Sequence, residues 1–156
     1  MALQKNIVFR GGADVHPDER ASHMAILRGM WISESRHFIY PRMFSVHDMD
    51  GRVGTELAEV EEGEEVCGMN NILLPEVVDL SVENLKSDGI FLLDNSVEMY
   101  LWVGRAADAA VLSSLFGTST LEGADMSNVK IVDGSDLASR LTSIITGLRG
   151  EAELRQ

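Results

Sequence analysis

Four histidines, one cysteine and a run of carboxylates are the residues of this chain with chemistry to offer. His16, His23, His37 and His47 are separated by 7, 14 and 10 residues, a spacing that fits no compact metal template. No HExxH pair occurs, and a lone Cys67 excludes both cysteine-rich zinc sites and an intrachain disulfide. The histidines therefore read as surface or structural residues. Asp48-Met49-Asp50-Gly51, with Glu59 in twelfth place, has the outline of a calcium loop. It fails in detail, because Arg52 takes the fifth place and Val53 the place where the tight turn needs glycine. Glu61, Glu62, Glu64 and Glu65 read as a solvated run, since a catalytic carboxylate must be buried or paired to shift its pKa. No Gly-x-Ser-x-Gly elbow or phosphate-cradling glycine motif is present, and Gly11-Gly12 is more simply a helix stop. The chain does not read as an enzyme, and no catalytic, cofactor-binding or metal residue is nominated.

The elements that carry these residues belong to a chain of 156 residues, long enough for one compact domain with an appended piece. Its net charge is −12, and half of that excess lies between Asp50 and Glu65, where seven acids face only Arg52. Phosphate-rich partners and anionic membranes both require cationic surface, so neither nucleic acid nor lipid headgroups are expected to bind. No apolar run approaches the ~20 residues of a membrane span, and the first thirty residues do not resemble a signal peptide. A soluble, cytosolic protein is the expectation.

Pro17, followed by Asp18 and Glu19, predicts a helix start, with Gly29 and the cluster Ser33-Glu34-Ser35 marking its end. Residues 2–9 predict the last turns of an earlier helix. Met43 to His47 alternates as a strand does, and 48–71 reads as an acidic loop or ragged hairpin. Ser81 is a plausible cap for a short helix. The strongest local signal is a hairpin: a fully apolar run Ile90-Phe-Leu-Leu93, turn residues Asp94-Asn95-Ser96, then alternation from Val97 to Val103. Its second strand has an aliphatic face (Val97, Met99, Leu101, Val103) and an aromatic one (Tyr100, Trp102), each predicted to need a covering helix. Trp102 is expected in the core, and Gly104 where a Cβ would crowd the exit from the strand. Helices follow at 106–116, stopped by Gly117, and after Ser135, with a predicted strand Val129–Val132 between them. In the last helix Leu137, Leu141, Ile144, Ile145 and Leu148 form the cleanest apolar stripe of the chain. One sheet with helices on both sides buries these faces.

Taken in order, Leu80-Ser-x-Glu-x-Leu85, Gly89-Ile-Phe-Leu-Leu-Asp94, Leu101-Trp-Val-Gly-Arg105 and Leu115-Phe-Gly117 resemble a known domain. It is the gelsolin-like domain that ends the cargo-adaptor subunit of the COPII inner coat. Ile144 to Arg149 is similar to that family's closing helix, and Phe9-Arg-Gly-Gly-Ala-Asp-Val15 with Asp18-Glu-Arg20 to its helical domain. Tyr40-Pro-Arg-Met-Phe44 through Asp48 resembles the passage between the two.

The resemblance implies an α+β, gelsolin-like domain: a central mixed β-sheet flanked by helices and preceded by a short helical segment. Residues 1–38 would be the C-terminal part of an all-helical domain, 39–150 the gelsolin-like domain with 50–71 as an acidic loop insertion, and 151–156 a tail. It implies a non-enzymatic coat part acting in ER-to-Golgi transport and cargo packaging. The implied partners are the GTPase-activating subunit of the inner coat and cargo proteins. The implied location is the cytoplasm, peripheral on endoplasmic reticulum membranes and COPII vesicles, without membrane insertion. The family's zinc would lie in a part not present, so no cofactor is expected here. The alternative is a calcium-regulated actin-binding module of gelsolin type, since one fold serves both. Arg105-Ala-Ala-Asp-Ala-Ala110 lacks the glutamate-bearing stretch that family uses for calcium. Removal of 50–65 as a solvated insertion is expected to leave stability nearly unchanged.

Overall fold

His16 and Pro17 start the first described helix because one supplies a cap and the other a preset backbone angle. The His16 imidazole accepts the Asp18 N–H at 3.3 Å, and Pro17 occupies the first helical position, where no amide donor is needed. In this computed structural model, which describes residues 16–125 and 128–154, helix α1 spans Pro17–Gly29. The helix expected over 2–9 lies outside the described residues. The cluster Ser33-Glu34-Ser35 does not end the helical segment, because it falls inside a second helix, α2, Ile32–Ile39. Phe38 gives the reason: it is 2% exposed and anchors α2 to the body, whereas α1 buries no residue.

Strand β1 (Arg42–Ser45) leads into β2 (Val66–Cys67) and β3 (Ile72–Leu73), a small hairpin, and then β4 (Val77–Val78). Strands β5 (Ile90–Asp94) and β6 (Met99–Val103) form the expected hairpin. Its turn is built by side chains: the Asn95 amide oxygen accepts the Val97 and Glu98 N–H groups, and Asp94 accepts that of Ser96. The main sheet has the order β4-β1-β5-β6 and every pairing is antiparallel. It is thus not mixed as expected. The segment Val129–Val132 is extended but unpaired, held by the Val132 N–H on the Leu115 carbonyl at 2.8 Å.

Helix α3 (Ala109–Phe116) starts later than residue 106 because the Asp108 carboxylate caps it, accepting from Ala110 and Val111. Gly117 stops it in the left-handed conformation, φ 70°. Helix α4 spans Asp136–Leu154, so it runs on through the expected tail. Ser135 caps it by accepting the Ala138 N–H at 3.0 Å, and its own hydroxyl donates to the Ser114 carbonyl, tying α4 to α3. Ser81, by contrast, makes no cap bond. The turn after it is a single 3₁₀ turn, Val82–Asn84, closed by the Asn84 amide on the Asp79 carbonyl.

The two helices do not lie on opposite sides of the sheet, as the alternation suggested. Leu112 and Leu115 of α3 and Leu141, Ile144 and Leu148 of α4 share one cluster with Phe44, Val46, Ile90 and Leu92. The other face offers only Met43, Phe91 and Leu93, which the strap Asp79–Asp88 covers with Leu80 and Leu85. A patch of three side chains needs no helix. Trp102 joins that second cluster half-buried, its ring 5.7 Å from that of Phe91, rather than in the main core.

The acidic stretch is not a free insertion. Arg140 donates to the Asp50 and Val53 carbonyls at 2.6 and 3.1 Å and to Asp136 on its own helix. A Cβ on Gly54 would lie 2.6 Å from that of Arg140, and one on Gly68 would lie 3.0 Å from the Gly147 backbone. Cys67, 1% exposed, sits under α4. Both ends of the stretch are therefore anchored, while its middle, including Glu59, Glu61 and Glu62, is solvated. Deleting 50–65 is expected to unfold the domain, whereas replacing 58–63 with a short glycine linker should shift the denaturation midpoint little. Equal midpoints for the two deletions would contradict the packing.

Gly104 occupies the crowded exit that the sequence suggested: a Cβ there would stand 2.1 Å from the Ser87 carbonyl oxygen. Gly104→Ala is expected to cost ~3 kcal/mol or more by overpacking rigid backbone. Gly150→Ala, in α4 with nothing within 4 Å, should be neutral or stabilise by up to ~1 kcal/mol. Urea denaturation of both variants checks the contrast.

Candidate functional site

Each histidine has a structural task within reach. His16 caps α1, and the His23 ring lies 5.8 Å from that of Phe38, fastening α1 to α2. The Nδ1 of His47 accepts the Ile90 N–H at 3.1 Å, and its ring meets Phe91 edge-on. His37 is half-buried beside Arg36 and Arg42. Burial first, and then the Arg42 charge, lower its pKa below the ordinary 6.5, against the opposing pull of Asp94 and Glu65. Among the described residues no three His, Cys, Asp or Glu side chains form a group able to hold a metal.

The residues of the calcium-like stretch are engaged in turn bonding. Asp48 accepts from the Ser45 hydroxyl, Asp50 accepts the Arg52 N–H at 2.9 Å, and Arg52 pairs with Glu64 at 2.9 Å. Cys67 is unreactive by position: burial, then the Glu151 carboxylate, push its thiol up to about 12. A zinc ribbon does not fit these residues, with one buried cysteine and no second thiol. The most buried ion pair, Arg42 to Asp94 at 2.6 Å, joins directly opposed residues of β1 and β5. It belongs to the sheet.

What remains is surface shape. One concavity of about 640 Å³ lies between α2 and β4, with Arg36 and His37 on one wall, Val77 and Val78 on another, and Glu65 and Asp79 at its edge. A second, of about 530 Å³, is formed by the β2–β3 turn and α4, lined by Met69, Ile72, Thr142, Thr146, Gly147 and Glu56. Sequence reasoning missed the second groove. The Thr and Ser residues of α4 read as a solvent face, and nothing local announces that a turn 75 residues upstream stands beside them. No helix among the described residues is long and apolar enough to cross a membrane.

The folded state disfavours a charged His37, which sets the sign of one pH effect. Its contribution to stability is complete above the ordinary 6.5 and is lost as pH falls through the lowered folded-state value. Between about pH 7 and pH 5 the stability of His37→Gln is expected to fall less steeply than that of the parent chain. Identical slopes in urea titrations would remove His37 from this role.

Comparison with known proteins supplies the kinship that the surface alone does not. A family model described as a gelsolin repeat matches residues 71–144. Protein transport protein SEC24-2 of Saccharomyces uvarum is 30% identical over 155 residues, covering 98% of this chain and 16% of that protein. Protein transport protein SEC24-1 of Candida glabrata is 31% identical over 150 residues, 95% of this chain and 16% of its own length. The crystal structure of the human COPII-coat protein Sec24c matches 96% of this chain and 17% of its own, at 26% identity and a TM-score of 0.68. The chain thus spans about one sixth of the length of these relatives. Over the stretch that it shares with them, this chain is a homologue of the Sec24 protein transport proteins.

Proposed function

We propose that the chain is a non-enzymatic part of a COPII-type cargo adaptor, working by binding in ER-to-Golgi protein transport. The observation that carries this is coverage: relatives named as protein transport proteins match 95–98% of the chain, through the segment ahead of the sheet as well as the sheet itself. A gelsolin repeat alone speaks to fold, which coat and actin-binding proteins share. The actin-binding reading is not favoured.

Within this reading, 39–150 is the gelsolin-like domain and 1–38 the end of a helical domain whose remainder lies elsewhere in the relatives. Support comes from the exposed apolar residues there: Trp31 is 66% and Ile32 90% exposed, and α1 buries nothing of its own. Such residues need a cover, which the helical domain would provide. The partners would be the GTPase-activating subunit of the inner coat and cargo. The location would be cytosolic, peripheral at endoplasmic reticulum membranes and COPII vesicles. With one cysteine in the chain, any zinc would be held by residues outside it.

Three measurements test the reading together. Calorimetry with millimolar calcium and pelleting with filamentous actin are both expected to be silent. Grafted in place of the homologous segment of the Saccharomyces uvarum relative, the chain should allow coat assembly on liposomes with the partner subunit. Saturable calcium binding with actin pelleting would overturn the proposal in favour of a gelsolin-type module.

A further inference from the structure

The groove between the β2–β3 turn and α4 combines three features that the fold does not require of it. Its lining is largely apolar or small: Met69, Ile72, Gly147, Gly150 and the methyl groups of Thr142 and Thr146. Met69 stands at the tip of the turn, 84% exposed, among the most exposed of the large apolar side chains. An unbranched, polarizable side chain in that position adapts to whatever packs beside it. The charged side chain in its lining is acidic. No lysine or arginine lines it, while Glu56 does, its carboxylate accepting from Asn70 at 2.5 Å. Glu151 sits at the other end, accepting the Gly68 N–H at 3.0 Å. From Glu56 the chain leaves directly into the solvated acids, beginning with Glu59 three residues on.

The walls are held in place. Gly68 and Gly147 touch backbone to backbone, so the turn cannot slide toward the helix and close the space. The other concavity, beside α2, lacks this agreement, because Arg36 there is set against Glu65 and Asp79.

We infer that this groove is a docking site for a basic, leucine-bearing segment of a partner protein. One aliphatic side chain of the partner would lie between Met69 and Thr146, and its flanking lysines or arginines would face Glu56 and Glu151. The site does not depend on the coat assignment, since its argument uses only the groove and its charges.

The test titrates the ¹⁵N-labelled chain with three capped hexapeptides: Lys-Leu-Lys-Lys-Leu-Lys, the same with Glu for Lys, and the same with Ser for Leu. Saturable shifts confined to Gly68–Ile72 and Thr142–Gly150 are expected for the first, weakening as salt is raised. The other two should bind roughly 10-fold more weakly or worse, as loss of the aliphatic anchor or of charge complementarity demands. Thr146→Arg, an exposed substitution that fills the groove with like charge to the peptide, should abolish binding without lowering the melting temperature. Met69→Ser should weaken it roughly 10-fold. Equal binding of the Leu and Ser peptides would reduce the effect to general acidity and overturn the site. So would no saturation, or binding that survives Thr146→Arg. Self-association of the chain that Thr146→Arg abolishes would overturn it in favour of a second copy as occupant.

Discussion

Everything in this molecule is arranged around a strand with no exposed side. All five residues of β5, Ile90 to Asp94, are buried, so both sheet faces and both strand edges must be supplied by other parts of the chain. β1 and β6 take the edges. Ile90 and Leu92 turn to the face that α3 and α4 cover, and Phe91 and Leu93 to the face under the strap. Asp94 completes the strand as a carboxylate, which is tolerable at that depth because Arg42 is its direct cross-strand partner. Removing one member would leave a buried charge without its counterion, a loss of ~3–5 kcal/mol, although the pair itself adds little against an apolar isostere. Its value to the fold is therefore one of register. Arg42 can meet Asp94 in only one alignment of β1 on β5.

The second constraint is the closeness with which the acidic stretch approaches α4. Glycine at 54, 68 and 147 removes the side chains that would otherwise hold the loop and helix apart. Arg140 then bridges the gap with hydrogen bonds to the Asp50 and Val53 carbonyls. Cys67 fills the remaining space as a small apolar residue, and its raised pKa is a consequence of that packing rather than a sign of reactivity. Helix α4 is thus clamped from both sides, by the sheet through Leu141 and Ile144 and by the loop through Arg140 and Gly147.

How much of this was legible in the sequence depended on whether the signal was local. The β5–β6 hairpin, the stop at Gly117, the cap at Ser135 and the crowding at Gly104 all follow from residue type and near neighbours, and all are present. The errors were of longer range. Alternation in β6 says that two faces need covering but not by what, so a strap served where a helix was expected. An acidic composition says that side chains are solvated, not that the backbone beneath them is. Glu61 and Glu62 are exposed while Cys67 and Ile72, a few residues on, are core. The homology was legible because ordered motifs accumulate specificity; the groove beside α4 was not, because threonine, serine and glycine carry no message until a turn is placed against them.

That placement also changes what the charge can do. A flexible acidic loop would smear its negative charge over a wide volume, and at physiological salt most of it would be screened within ~8 Å. Here the stretch is pinned at Val53 and Gly54 on one side and at Cys67 and Gly68 on the other, both against the same helix. Of its carboxylates, Glu64 is immobilised by Arg52 and Glu56 by Asn70. A fixed cluster of like charge raises the local concentration of cationic partners and orients them before contact, which a mobile one does far less well. The half of the net charge that lies in this stretch is thus fixed in part, at Glu56 and Glu64. The molecule carries an acidic stretch and, just ahead of it in sequence, a helical segment with exposed apolar side chains, two surfaces of different chemistry.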